Sequence, residues 1–386
     1  MSRKPPIEPS PYVEEVERLR AIYQKAERDI LEVLQYQRRN GLVDYATVAA
    51  LERVQKILQG LVDEAWDYIP TLVERQYYKG KLAQEGYRNA AVLTSTQRGM
   101  VDRLIIQLEG TVVQAAATAN AAIQDAWKNA QRIARLSPDG YREAALRGVI
   151  AGEASGFGIR RARAVFLEEM KRNGVVGFVD RSGRKWQLST YADMATRTTS
   201  RQATNLGALY ADEEWDLYQI SSHNSACPLC APYEGRVYSR SGTHPVFPPL
   251  ALAFGKIDPH GADTLDNSYL NIHPNCLHTL HRWDPDGRTA QEIARTEKFS
   301  SFQTNPPKVN PQSAKEREAY RRKEDGRRRL LDDYRQWQRY RLVLGDWVPK
   351  TFAAFQRNKL GDTERYQAWK QQYRSANKRI SEELNV

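Results

Sequence analysis

The segment at residues 221–238, SSHNSACPLCAPYEGRVY, places Cys227 and Cys230 in a C-x2-C spacing, and the chain has three cysteines. The third, Cys276, stands in HPNCLHTLHRW, and all six histidines (His223, His244, His260, His273, His278 and His281) fall within the same stretch of 59 positions. Thiolate and imidazole together are the ligand chemistry of Zn2+, and a C-x2-C turn aims two sulfurs to one side. The second half of a tetrahedral set must come from HPNCLH. His273 and Cys276 form an H-x2-C that would make a matching knuckle. Cys276 and His278 are two apart, so on an extended strand they face the same way. Both readings give three cysteines and one histidine and differ only in the histidine.

A cytosolic redox pair is the other use of C-x-x-C, but no βαβ pattern surrounds this one. A catalytic zinc keeps an open position and needs a nearby base. Glu234 is the acidic residue close to the knuckle, in a YEG turn of the kind that usually lies on the surface. Asn275 between two potential ligands invites an H-N-H nuclease reading, yet no ββα pattern accompanies it. A closed Cys3His set leaves substrate no position, so the expected metal is structural. His244, His260 and His281 are assigned ordinary polar or packing roles.

The elements that must position these residues are mostly helical. Tyr12, Val16, Leu19, Tyr23, Ala26, Ile30 and Val33 step by four and three, which puts them on one stripe. Leu51, Val54, Leu58, Leu61 and Ala65 repeat the pattern until Pro70, so an antiparallel helical hairpin is expected. A third, Ala-rich helix is expected over roughly 95–135, ended by Pro138 and Gly140, and a further helix after residue 157, closed by Gly174. VVGFVDRSGRKWQL reads as a β-hairpin. Ser189 or Thr190 should cap the next helix, through to Trp215, and residues 217–222 alternate like a strand. The fold class is thus mainly α with a small α+β domain: a long-helix N-terminal bundle (1–156), an α+β region stapled by zinc (157–297), a linker (298–313) and a basic helical tail (314–386).

A signal peptide is not expected after MSRKPPIEPS, and no run of 18 apolar residues suggests a membrane span. Three cysteines argue against a disulfide framework and for a reducing compartment. The net charge is +11. Residues 314–386 hold 19 Lys and Arg against 11 Asp and Glu, an excess of eight positive charges. Nucleic acid is the first acidic partner to consider, and Arg327, Arg328 and Arg329 are the candidate phosphate contacts. Tyr366, Trp369 and Tyr373, at helical spacing, are expected to pack rather than to stack on bases.

GFVDRSGRKWQLSTYADMATRTTSRQATN, followed by ISSHNSACPLCAPYEGRVYS, FPPLALAFG and HPNCLH, resembles the phage minor capsid protein 2 family. More distantly it is similar to the Mu F-like head morphogenesis proteins. The resemblance extends in layout over roughly residues 10–380 and is specific over 175–283. Its marks are the Asp180 to Gly183 turn, Tyr191, Met194, Arg197 and Thr198, the Ser222-His223 pair, and Pro228, Cys230, Gly235, Asn275, Cys276 and His278. Cys227 stands where much of the family has Arg, which makes a full Cys3His set available, and Leu277 stands where Arg is usual. The recurring Asn-Cys-x-His core favours His278 as fourth ligand over His273, and His223 is a stand-in where Cys227 is lacking. The run Arg197-Thr198-Thr199 is placed to hydrogen-bond the loop around the metal.

The resemblance implies a structural, non-enzymatic component of the virion of a tailed bacteriophage. It would lie inside the head or at the portal vertex, having assembled in the host cytoplasm, and serve head morphogenesis and DNA packaging or ejection. Its partners would be the portal protein, the major capsid protein and packaged DNA bound without regard to sequence. The competing reading is a metal-dependent nuclease or hydrolase acting on nucleic acid.

Overall fold

The computed structural model describes residues 13–39, 48–84, 93–136, 164–165, 168, 170–171, 177–179, 184–223, 227–254, 270–273, 275–308 and 311–385. Among them are the helices α1 (Val13–Arg39), α2 (Val48–Leu82), α3 (Ser95–Leu136), α4 (Leu188–Leu209), α5 (Ala290–Ser300), α6 (Ala314–Leu344), α7 (Phe352–Leu360) and α8 (Glu364–Asn385). The strands are three or four residues long: β1 (Gly177–Val179), β2 (Lys185–Gln187), β3 (Leu217–Ile220), β4 (Val237–Ser239) and β5 (Leu280–Arg282). The protein is therefore mainly helical with small antiparallel sheets. No helix of the described residues is long and apolar enough to cross a membrane.

The apolar stripes are buried over most of their described length, with Val33 and Leu51 half-buried and Tyr12 outside the described residues. Val16, Leu19, Tyr23, Ala26 and Ile30 of α1 are buried, as are Val54, Leu58, Leu61 and Ala65 of α2. Arg18 lies over the Tyr68 ring and Lys25 pairs with Glu64, so α1 and α2 run antiparallel. Pro70 does not end α2, which continues to Leu82. Proline removes one helical hydrogen bond, at a cost of about 3 kcal/mol. Ile69, Leu72, Val73 and Tyr77 around it are fully buried, and each contributes about 1.5–3 kcal/mol, so packing carries the helix through. Pro138, Gly140, Gly174 and the Asp180–Gly183 turn lie outside the described residues.

The chain divides into two compact units, each drawn from three stretches: 1–19, 65–111 and 193–326 in one, 20–64, 112–192 and 327–386 in the other. In the first unit, α2 and α4 approach so closely that neither tolerates a methyl group at the crossing. A Cβ on Gly80 would lie 1.8 Å from the Thr204 carbonyl oxygen, and one on Gly207 would lie 1.9 Å from that of Tyr77. The start of α3 is fixed nearby by a capping box: Thr94 Oγ1 accepts from the Gln97 amide, and Gln97 Oε1 accepts from the Thr94 amide. Gln97 Nε2 then donates to the carbonyl of Tyr210, just past the end of α4. Helix α4 ends at Leu209, short of Trp215, where the chain turns into the sheet β4-β3-β5. Both neighbours of β3 are antiparallel to it, with Tyr218 facing Tyr238 on one side and Arg282 on the other. Val237, Phe247 and Trp283 form the core of this region, with Leu217 and Ile293 packed against them. The stretch expected to be a linker begins inside α5. Its following turns are pinned by Arg236, whose guanidinium donates to the carbonyls of Phe299, Ser300 and Asn305.

In the second unit, the hairpin β1–β2 pairs Gly177 with Gln187 and Phe178 with Trp186. Helix α4 starts at Leu188, so neither Ser189 nor Thr190 precedes it as a cap. The cap comes from elsewhere: the Glu27 carboxylate of α1 accepts from the backbone amide of Ser189 at 2.8 Å and from its hydroxyl at 3.0 Å. Tyr334 Oη and Gln338 Nε2 of α6 donate to the same carboxylate. Burial pushes the Glu27 carboxyl up to about 7, against the pull of Ser189, Tyr334 and the nearby Arg28. The tail's aromatics pack on one another, Trp369 stacked on Phe355 and Tyr373 on Tyr340.

Two outcomes are expected. Gly80→Ala or Gly207→Ala should destabilise by about 3 kcal/mol or more, because backbone must yield to the new methyl. Gly60→Ala, with open space around it, should stabilise by about 0.5–1 kcal/mol; denaturant unfolding of the three variants measures the contrast. The folded protein holds a proton on Glu27 from its ordinary 4.5 up to about 7, so its contribution is fully present below the lower value and is lost as pH rises through the upper. Unfolding midpoints of wild type should fall relative to Glu27→Gln across that window, by up to roughly 3 kcal/mol in stability.

Candidate metal centre

Topology brings the site residues to one end of a sheet. Because β4 and β5 both run against β3, the residues just after β3 (Ser221 to His223), just before β4 (Glu234) and just before β5 (Cys276 to His278) meet there. The CPLC segment folds as a tight turn in which the Cys230 and Ala231 amides donate to the Cys227 carbonyl. HPNC repeats the device, the Cys276 amide donating to the His273 carbonyl at 3.0 Å. Asn275 takes a positive φ of 64°, which Asn tolerates better than most residues; that turn gives it a backbone role. Gly235, at φ 74°, is required for a second reason: a Cβ there would lie 2.8 Å from Ser222 Oγ.

The donors form two triads that share Cys230: Cys227, Cys230 and His273, and Cys230, Cys276 and His278. Within each, the ligand atoms lie within 4.8 Å of one another. Cys230 and Cys276 are 1% exposed. Cys230 Sγ is 3.8 Å from Cys276 Sγ, and Cys276 Sγ is 3.4 Å from His278 Nδ1. On a tetrahedral zinc, bond lengths place two sulfurs about 3.8 Å apart and a sulfur and a nitrogen about 3.6 Å apart. Both of these separations in the second triad are in the range of zinc ligands, while Cys227 comes together with Cys230 and His273 rather than with Cys276 and His278. In the first, His273 Nε2 is 3.0 Å from Cys227 Sγ and 2.9 Å from Cys230 Sγ, closer than two ligands of one zinc and suited to hydrogen bonding. His223 belongs to neither triad; its ring meets that of His278 edge-on, with centroids 4.5 Å apart.

The electrostatics favour thiolates at Cys227 and Cys276. Cys227 is held down at about 4, first by its hydrogen bond with Cys230 and, against burial, by His273. Cys276 is held well below the usual thiol range, again first by Cys230 and, against burial, by His278. Cys230, between them, is pushed up by the two sulfurs it bonds and by burial. Burial would lower His278, but Cys276 and Glu234 outweigh it and lift the imidazole to about 9. A divalent cation is what such an array of sulfurs accommodates, displacing the protons they share.

Helix α4 supports the ligand segment. Thr198 Oγ1 accepts from the Asn275 amide at 3.2 Å. This is the contact expected of the Arg197-Thr198-Thr199 run. Buried Asn205 donates to the carbonyls of Leu270 and His278 and accepts from the Leu280 amide. Sequence reasoning missed Asn205, and it misjudged Glu234, whose Oε2 lies 3.0 Å from His278 Nε2 with the side chain only 18% exposed. His244 caps a turn by accepting from the Val246 and Phe247 amides, and His281 pairs with Thr279; His260 lies outside the described residues. Arg327, Arg328 and Arg329 are exposed on α6, and Tyr366 and Trp369 are buried.

Asn205→Leu should leave the Leu280 amide without its acceptor, at a cost of about 1–3 kcal/mol. Hydrogen exchange should then speed at Leu280 while the Ile220 amide, bonded to Arg236, keeps its protection. Equal loss at both would mean that Asn205 supports the whole sheet rather than this segment.

Searches of curated proteins and of solved structures found no significant match. The sequence profile described as Phage minor capsid protein 2 matches residues 7–285, a stretch that includes α1 to α4, the β4-β3-β5 sheet and every Cys and His of the site. The chain belongs to the phage minor capsid protein 2 family, and is a structural protein of the bacteriophage virion.

Proposed function

We propose that the protein works inside the head or at the portal vertex, in head morphogenesis and in the packaging or ejection of DNA. Its α+β region (157–297) is held by one structural Zn2+ on Cys227, Cys230, Cys276 and His278. The observation that carries the metal is the second triad, whose sulfur and nitrogen separations match those of zinc ligands. The portal protein or the major capsid protein would be its partner. The exposed arginines of α6, in a tail with eight excess positive charges, would meet packaged DNA through phosphates, without reading sequence.

One observation favours a catalytic reading. Cys276, His278 and Glu234 form a chain of thiol, imidazole and carboxylate with the connectivity of a nucleophile, base and orienting acid. Its nucleophile is 1% exposed and its base 3% exposed, so substrate has no approach to the sulfur. The same three groups serve a buried metal without that difficulty, and the structural reading is the better one.

Mass spectrometry of purified virions should recover the protein in head preparations, and the purified chain should contain one zinc. Cys230→Ser or Cys276→Ser should lose the metal and open residues 221–283 to proteolysis; full occupancy in both would defeat the zinc reading, and absence from virions the placement. Reversing the charge of Arg327, Arg328 and Arg329 should weaken DNA binding at low salt and reduce the salt slope by about one per residue, with an unchanged melting temperature. Unaltered affinity would leave those arginines as a solvated helix face.

A further inference from the structure

Two histidines reach the cysteine cluster, and they reach it differently. His278 presents Nδ1 to Cys276 Sγ at 3.4 Å, and its other nitrogen, Nε2, meets the Glu234 carboxylate at 3.0 Å. His273 presents Nε2 to two sulfurs at 3.0 and 2.9 Å. A metal-ligating imidazole is commonly anchored through its second nitrogen by a carboxylate or carbonyl, which fixes ring orientation and tautomer and raises the basicity of the ligating nitrogen. His278 has that arrangement and is 3% exposed.

The placement of Glu234 is built into the fold. Its amide donates to the Cys230 carbonyl, so the knuckle that presents Cys230 also sets the position of Glu234. Gly235 follows at positive φ and donates to the Ile220 carbonyl, turning the chain into β4. On the other side of β3, Asn205 holds the His278 carbonyl and the Leu280 amide. The carboxylate and the imidazole thus arrive from opposite flanks of one strand, each held by backbone contacts that do not involve the other.

The geometry points to Glu234 as the positioning residue of the metal centre: it holds His278 with a proton on Nε2, so that Nδ1 is the nitrogen offered to zinc. His273 stands outside the ligand set as a hydrogen-bond donor to the thiolates. This assignment rests on the zinc reading above. It goes further by naming which nitrogen of which histidine binds, and why Glu234 follows the C-x2-C knuckle by four residues.

The test uses the full chain. Zinc affinity is measured by chelator competition for wild type, Glu234→Ala, Glu234→Gln, His278→Ala, His273→Ala and Cys230→Ser. The chain labelled with 15N-histidine and loaded with cadmium-113 reports, through metal–nitrogen coupling, which ring nitrogen is bound. Glu234→Ala should bind about 10–100-fold more weakly at unchanged stoichiometry. Glu234→Gln, whose amide oxygen can still accept from Nε2, should recover most of that loss, and His273→Ala should bind within a few-fold of wild type. The coupling in wild type should appear at Nδ1 of His278. Wild-type affinity in Glu234→Ala, or coupling at Nε2 of either histidine, would overturn the assignment while leaving zinc binding intact. If wild type binds no zinc, or Cys230→Ser binds as tightly as wild type, the underlying metal reading fails instead. The coupling measurement needs no variant, so coupling at Nε2 would overturn the assignment even if Glu234→Ala does not fold.

Discussion

The close approach of α2 and α4 at Gly80 and Gly207 is the constraint from which the first unit follows. Each glycine faces the other helix's backbone carbonyl at a distance that excludes any side chain. With α4 held there, Thr198 and Asn205 on its length come into register with the segment 270–280, which they bind through backbone groups. That segment carries His273, Cys276 and His278, so these side chains inherit their positions from a helix crossing. Gln97 adds a second tie by joining the start of α3 to the Tyr210 carbonyl after α4.

The sheet around the cysteines is small but buried, with Tyr218, Ile220, Val237, Tyr238 and Leu280 all shielded from solvent. Its strands are three or four residues long, short of the usual five or six. Its local core rests on Val237, Phe247 and Trp283. A structural metal bound beside such short strands would add its binding free energy directly to folding. Arg236 assists from the other side by receiving the last carbonyls of α5, with its guanidinium over the rings of Phe299 and Phe302. The arginine and the α4 contacts tie these short strands to their neighbours.

The long helices and the cysteine–histidine cluster were legible in the sequence because each rests on local spacing. A stripe of period 3.6 requires only its own helix, and C-x2-C requires only its own turn. What escaped depends on pairing between distant segments. Glu234 read as a surface turn residue because its partner His278 is 44 positions away and meets it only through the order β4-β3-β5. Glu27 sits one residue past Ala26 on α1, off the apolar stripe, yet it is fully buried and takes the capping role expected of Ser189 or Thr190 for α4. Pro70 reads as a stop because its cost is local, while the burial that overrides it is tertiary. On spacing alone the choice between His273 and His278 stayed open, since both spacings are acceptable; the family's Asn-Cys-x-His core favoured His278, and the Glu234 contact and the sulfur distances support the same choice.

X-ray absorption at the zinc edge of the full chain probes the centre most directly, because it reads the atoms around the ion without altering the protein. The account predicts a single shell of three sulfurs at about 2.3 Å and one nitrogen at about 2.0 Å, with no light-atom ligand beyond the imidazole. A shell richer in nitrogen and oxygen than in sulfur, or a purified chain that retains no zinc, would contradict it.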